Sequence, residues 1–378
     1  HQSALETKIS ATALHYKYLD IYTLLGDRVW PQKPKIAQQQ QQKLKASNMK
    51  NQHVILVSRP TGWVTPENFK LVDADMPVPT NNQVLIRNHW LSLDPYMRGR
   101  ISDAKSYAQG VNPGEVMVGG AIGEVIESNS PDFKVGETVL AATGWRLYGT
   151  INAKGVTKID TSKVSPTAYL GILGMPGITA WTGLIDICQP KAGETVVVDA
   201  ASGAVGSVVG QLAKHVGCRV VGIAGGAKKC QYVVDELGFD ACIDHRSSNF
   251  AAELAAALPQ GIDCLFENVG GEIFERLLTH MNTFGRIALC GMVSEFNRDP
   301  HAYHTLRAIL VSRLRVQGFI VSDKLDTWPA IRSQLYDLVV AGKLKFRESV
   351  AVGLGSAPEA LVGMLKGENF GKQLVKLV

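Results

Sequence analysis

At 378 residues the chain is longer than one hydrophobic core usually organises, so two domains are expected. The composition, 46% apolar and 19% charged, is that of a globular protein, and the absence of any apolar run of roughly 18 residues argues against a membrane span or a membrane partner. The net charge of +5 is concentrated before residue 49, where seven Lys and Arg face three acids, so the basic balance is not a nucleic-acid footprint.

Residues 1–48 carry a glutamine run, Gln38–Gln42, and no sustained periodicity after Leu25. This segment is expected to lie outside the fold as a largely disordered extension. It lacks the basic, then apolar, then small-residue layout of a secretory signal, so a soluble, cytoplasmic protein is expected. From about 54 to 160 the texture is short β-rich runs such as "VILVSRP", "QVLIRNHWLSL" and "ETVLAATG", broken by Gly, Pro and Asn. These predict a compact unit of β-barrel type. From about 173 to 321 strands alternate with helices, the pattern of a parallel sheet covered on both faces. "TLRAILVSRL" (305–314) and "TWPAIRSQLYDLVVAGKL" (327–344) read as helices.

The chemistry begins at "VDAASGAVGSVVG" (198–210). A β-branched run, "ETVVVDA", precedes it, and Val205, Val208, Val209, Leu212, Ala213 and Val216 recur behind it at the spacing of one helix face. Gly203 and Gly206 therefore sit at a strand-to-helix turn, where free N–H groups and the positive end of the helix dipole can meet a pyrophosphate. Ala201 stands where a dinucleotide fingerprint has its first glycine, which is tolerable if its φ is negative. The next strand, "CRVVGIAGG", ends on Gly225-Gly226 and then Lys228 and Lys229, with no carboxylate at its tip. A ribose diol would call for that carboxylate, whereas a 2′-phosphate calls for cations, so NADP(H) is expected over NAD(H). Asn268 follows the apolar strand "CLFE", on the edge where ligands sit in open α/β sheets.

No metal is expected. The six cysteines, at 188, 218, 230, 242, 264 and 290, have no C-x-x-C spacing, and they read as buried, reduced thiols. The β-rich unit has no cysteine, and its histidines are His53 and His89, so a Cys/His/Cys zinc site cannot be assembled there. Hydride transfer without a Lewis acid suits an electron-poor carbon–carbon double bond better than an alcohol.

The ordered motifs "LSLDPYMRGR" (91–100), "LGMPGITAWTGL" (173–184), "AASGAVGSVVGQLAK" (200–214), "FENVGG" (266–271), "GRIALCG" (285–291) and "GENFGKQLVK" (367–376) carry a resemblance. From about residue 53 to 378 the chain resembles the zinc-independent medium-chain dehydrogenases/reductases, in the branch of prostaglandin reductases, leukotriene B4 dehydrogenases and bacterial curcumin reductases. The resemblance implies an α/β protein with a GroES-like β-barrel-type domain (49–174 plus 322–378) and a Rossmann doubly wound parallel-sheet domain (175–321). It implies a pyrophosphate turn at Ala204, Val205, Gly206 and Ser207, and a 2′-phosphate lysine at Lys229. His245 occupies the position of a family tyrosine, which is a departure. Further cofactor contacts are implied at Asn268, at the turn Cys290, Gly291 to Phe296, along a strand Phe319, Ile320, Val321, and at Asn369. Phe296 stands where the branch often has a tyrosine. A substrate-site tyrosine matches Tyr107, and the resemblance also suggests a homodimer.

The expected reaction is NADPH-dependent reduction of the double bond of α,β-unsaturated ketones or aldehydes. Tyr107, a neutral donor on a turn-rich segment, is the first candidate to polarise the carbonyl, and Tyr96 is a second whose alternative role is pocket wall or core. Arg98 and Arg100 are expected to pair with the cofactor or with acids, and Tyr303 to lie at a pocket rim or on an exposed loop. Two other readings stay open at this point: an NADPH-dependent quinone reductase, and a catalytically silent NADPH-binding protein that serves interactions.

Overall fold

The β-rich half is built from seven strands: β1 (Asn51–Leu56), β2 (Phe69–Ala74), β3 (Gln83–Ser92), β4 (Ala121–Ser128), β5 (Thr138–Ala141), β6 (Tyr148–Asn152) and β7 (Val156–Lys158). This computed structural model describes residues 50–377, so the expected extension at 1–48 lies outside the described residues. β1 and β2 form an antiparallel hairpin, while β3 to β7 join one antiparallel sheet. Register shifts between β3 and β4, at Leu85/Ile86 and Asn88/Trp90, bend that sheet towards a barrel. Val84, Ile86, Val125 and Val139 fill its interior, and Val54, Leu56, Leu91, Met97 and Trp145 bury the hairpin against it.

The second half holds β8 (Thr195–Val198), β9 (Arg219–Ala224), β10 (Ala241–Asp244), β11 (Ile262–Glu267), β12 (Met281–Leu289) and β13 (Arg315–Gly318). They form one parallel sheet in the order β10-β9-β8-β11-β12-β13. The chain winds outward from β8 in one direction, then returns to β11 and winds the other way, so a crevice opens above β8 and β11. Helices Gly206–Val216 and Trp328–Val340 pack on one face through Val208, Leu212, Ile331 and Leu335. Helices Phe250–Ala257 and Gly271–Leu278 cover the other through Leu254, Phe274 and Leu277. The sheet is thus doubly wound, and all of Thr195–Val198 is buried, as a central parallel strand requires.

After helix Trp328–Val340 the chain returns to the first sheet. β14 (Glu348–Val352) and β15 (Lys372–Lys376) run parallel to each other, and β15 pairs with β3. A buried ion pair, Lys372 Nζ to Asp94 at 2.8 Å, locks β15 to the segment after β3.

Two sequence expectations need correction. The helix read over 305–314 forms only at Arg307–Val311, because Arg313 takes a left-handed φ of 47°. The strand implied at Phe319, Ile320 and Val321 is absent: β13 stops at Gly318, and Val321 opens a 3-10 turn. Among the described residues no helix is long and apolar enough to cross a membrane.

Helix Gly206–Val216 lies so close to Phe239 that a methyl added at Gly210 would overlap the ring, whereas one at Gly99 would meet nothing within 4 Å. Gly210→Ala is therefore expected to destabilise by about 1–3 kcal/mol. Gly99→Ala should leave the urea midpoint unchanged or slightly higher, and equal midpoints for the two variants would contradict this packing.

Candidate functional site

All six parallel strands deliver a candidate segment to one edge. β8 leads into the turn Asp199–Val205, where the left-handed residue is Ala200 (φ 45°), and Ala201 keeps a negative φ. The alanine in the first glycine slot is thereby accommodated, and its methyl packs against Gly222. The N–H of Gly203 donates to Ala200 O at 2.8 Å, and that of Ser207 to Gly203 O at 3.1 Å. A Cβ on Gly206 would collide with the Ala200 carbonyl, so the turn closes only around a glycine. Helix Gly206–Val216 starts without a side-chain cap; Ser207 N and Val208 N are taken by Gly203 O and Val205 O, and among the described residues no acceptor holds the N–H groups of Ala204, Val205 and Gly206 at its head.

At the tip of β9, the positions around Gly225 are crowded by His245 Nε2 and the Arg246 guanidinium, about 3 Å from where a Cβ would stand. Lys229 is half-buried, and its Nζ donates to Gly367 O at 2.7 Å. Burial and the neighbouring Arg246 charge lower its pKa. The same two causes lower that of His245, so the imidazole is held neutral. The carboxylate of Asp244 turns onto the N–H groups of Gly226 (2.8 Å) and Arg246 (2.9 Å). Arg246 is a cation that the sequence reading missed. It follows a position compared with a tyrosine, and nothing local marks it as pointing back to β9.

Beyond β11, Asn268 donates its Nδ2 to Asp199 O (3.2 Å), and its own carbonyl accepts from Val293 N (3.2 Å). Cys290 N and Gly291 N both donate to Glu267 O, which draws the turn Cys290–Phe296 beside Asn268. Burial, with the nearby acids, pushes the Cys290 thiol up to about 12. Phe319 does not face outward from a strand; its ring packs edge-on against Phe266, 6.2 Å between centroids, and against Gly183. What Ile320 and Val321 bring to the edge is backbone: their carbonyls accept from Asp323 N and Trp328 Nε1.

The other sheet reaches this edge at three places. Gly203 and Gly371 form a parallel bridge, which sets Asn369, hydrogen-bonded to Gly371 O at 2.7 Å, near the turn Asp199–Val205. Lys229 holds Gly367. Arg98, on helix Tyr96–Arg100, donates its Nε to buried Asn297 (2.7 Å) and its Nη2 to Gly62 O (2.8 Å). The expectation of an acidic partner for Arg98 is thus replaced by a clasp onto a neutral amide. Arg59, not Arg98 or Arg100, pairs with Asp103. The Arg100 guanidinium lies 5.4 Å from the Tyr96 ring centroid and 5.0 Å from that of Tyr107, so it joins the two candidate phenols. Tyr96 is half-buried and its pKa is raised, chiefly by burial; Tyr107 is 58% exposed. Tyr303 is not a free exposed loop residue: it is half-buried, and its hydroxyl donates to Glu295 (2.5 Å) and accepts from Gly271 N (2.9 Å).

This edge fits a dinucleotide. The glycine cradle and uncapped helix suit a pyrophosphate, and Lys229 with Arg246 suits an extra phosphate at the far end. The fold and the edge together define a dinucleotide-dependent oxidoreductase of two lobes. Residues 52–159 match a family model described as the N-terminal domain of oxidoreductase, and residues 204–336 one described as zinc-binding dehydrogenase. The chain is 46% identical over 335 residues to the NADPH-dependent curcumin reductase of Escherichia coli, covering 87% of this chain and 97% of that protein. It is 40% identical over 337 residues to the NADP(+)-dependent 2-alkenal reductase of Nicotiana tabacum, covering 87% and 98%. A crystal structure of CurA from Vibrio vulnificus with NADPH is 46% identical, with a TM-score of 0.83 over 86% of this chain and 99% of that one. The chain belongs to the medium-chain dehydrogenase/reductase family, in its prostaglandin reductase branch.

Proposed function

We propose that the chain is an NADPH-dependent reductase of the carbon–carbon double bond of α,β-unsaturated ketones and aldehydes, with curcumin-like, alkenal and keto-prostaglandin-like compounds as the substrate class. The observation that carries this reading is the 46% identity, over nearly the whole length, to a curcumin reductase that uses NADPH. More distant structural matches that include quinone oxidoreductases, at 18–21% identity, share the fold alone.

In this reading the turn Gly203–Ser207 holds the pyrophosphate, and Lys229 and Arg246 hold the 2′-phosphate with neutral His245 beside them. Asn268, the turn Cys290–Phe296, the backbone of Phe319–Val321 and Asn369 line the nicotinamide end. Bound NADPH supplies a hydride to the β-carbon of the substrate. As that bond forms, the double-bond electron pair moves towards the carbonyl oxygen, where the Tyr107 hydroxyl donates a hydrogen bond to the developing enolate. Arg100 orders the Tyr107 ring, and Tyr96, kept neutral by burial, forms the wall or a second donor. Water delivers the last proton to the α-carbon, for which the exposure of Tyr107 leaves access. The division into a substrate lobe and a nucleotide lobe, with the boundary expected at 322 moved behind helix Trp328–Val340 because that helix packs on the parallel sheet through Ile331 and Leu335, and a cytoplasmic location belong to the same reading.

A homodimer is part of the proposal as well. β13 is the edge strand of the parallel sheet, all four of its residues are exposed, and an unpaired strand edge is a template for a second chain. Exposed Leu306, Leu310, Val311 and Phe284 cluster beside it, with Phe284 N bonded to Ser312 O.

Loss of NADPH absorbance with an aliphatic enone, with curcumin and with a simple quinone tests the activity. Turnover of the enones is expected; consumption with the quinone alone, or with none of them, would contradict the reading. Lys229→Ala should raise the KM for NADPH by about tenfold or more and that for NADH little, and equal effects would remove the 2′-phosphate role. Tyr107→Phe should lower kcat by about tenfold or more with NADPH affinity unchanged; an unchanged kcat would make Tyr107 a wall residue. Sedimentation is expected at twice the chain mass, and a monomer at micromolar concentration would contradict the dimer.

A further inference from the structure

Two carboxyl groups lie directly beneath the crevice and none of the roles above uses them. Asp199 follows β8 and Glu267 ends β11, and in the register of these paired strands Phe266 stands opposite Val198, so the next pair is Glu267 and Asp199. Both are fully buried. Asp199 Oδ1 accepts from Asn268 N at 2.7 Å, and Glu267 Oε1 accepts from Gly270 N at 2.6 Å. The N–H of Val269 is shared between them, 3.2 Å from Asp199 Oδ2 and 2.8 Å from Glu267 Oε1. Glu267 Oε2 receives no donor. Among the described residues no Lys, Arg or His makes an ion pair or hydrogen bond with either carboxyl. The titratable groups that face the pair are the Cys290 thiol and the Tyr303 phenol, and Tyr303 is bonded to Glu295.

Two ionised carboxylates cannot sit together in a dry interior without a counter-charge. A proton on Glu267 Oε2, donated to the Asp199 carboxylate, removes both the repulsion and the unpaired atom. Burial and the Asp199 charge hold the Glu267 carboxyl well above the usual carboxylate range. Burial raises Asp199 too, but the hydrogen bonds it accepts hold that rise below the one at Glu267, so Asp199 is the ionised partner.

We propose that Asp199 and Glu267 hold one proton between them and act as positioning residues, fixing the turn Asn268–Gly271 on which the nicotinamide end of the site is built. Asn268 takes its pose from Asp199, and the Cys290–Phe296 wall hangs from the same turn through Glu267 O, Asn268 O and Val269 O. The role in cofactor binding rests on the NADPH reading; the shared proton does not.

Glu267→Gln tests both halves, because a glutamine reproduces the protonated acid: its Oε1 can accept the two N–H groups while its Nε2 donates to Asp199. A raised folded-state pKa gives stability that is complete below the unfolded pKa, near 4.3, and is lost as pH rises towards the folded value. The melting temperature of Glu267→Gln relative to the unchanged protein should therefore climb from near zero at about pH 4 to several degrees by about pH 8. Difference infrared spectra at neutral pH should show a protonated carboxyl band that this variant lacks. A flat melting difference together with no such band would overturn the shared proton. Asp199→Ala should raise the NADPH KM at least about tenfold, with Asp199→Asn intermediate and Glu267→Gln within about threefold of the unchanged protein. Unaltered KM values in both Asp199 variants would overturn the positioning role. Should the unchanged protein bind no NADPH at any pH, the cofactor reading fails, while melting and infrared still decide the proton.

Discussion

The site depends on how closely two pieces of backbone approach at the end of β8. The Ala200 carbonyl occupies the space that a side chain on residue 206 would need, and the left-handed φ of Ala200 turns the chain sharply enough to bring it there. Because this turn is so tight, helix Gly206–Val216 begins directly behind it, and the N–H groups of Ala204, Val205 and Gly206 stay without an acceptor among the described residues. A looser turn would move the dipole end, and the anion-binding frame it offers, away from the sheet edge.

The parallel sheet supplies one wall of the site, and the other half of the protein is fastened to it at well-separated points. Gly371 meets Gly203 at the turn after β8, Gly367 is held by Lys229 beyond the tip of β9, and Arg98 grips Asn297 past the end of β12. The Arg98 clasp links residues almost two hundred positions apart, and it brings the helix bearing Tyr96, and with it Arg100 and Tyr107, towards the turn that ends at Phe296. Chemistry that needs a hydride source and a hydrogen-bond donor on opposite sides of a substrate requires such a junction.

Much of this was legible in the sequence because it is encoded locally. The valine run of β8, the helix-face spacing behind Gly206 and the carboxylate-free tip of β9 each lie within a dozen residues, and they yielded the doubly wound sheet and the NADP(H) preference. The barrel-type half was legible as texture, from short alternating runs and turn residues. What escaped depends on non-local contact. Arg246 acts at β9 from the end of β10, Arg98 seeks an amide rather than an acid, and Tyr303 reaches back to Gly271. The Asp199–Glu267 pair is invisible until the register of β8 against β11 is known. The implied strand at Phe319 failed for a related reason: its ring is claimed by Phe266 and Gly183, so the chain turns inward instead of extending β13.

The central claim is that a hydride passes from a phosphorylated dinucleotide on this edge to carbon rather than to oxygen-bearing carbon. The most direct measurement follows a deuterium label at the transferring position of NADPH into an enone product by mass spectrometry and NMR. The account predicts one deuterium on the β-carbon of a saturated ketone or aldehyde, with a solvent proton on the α-carbon. Deuterium on the carbinol carbon of an allylic alcohol, or no transfer at all, would contradict it.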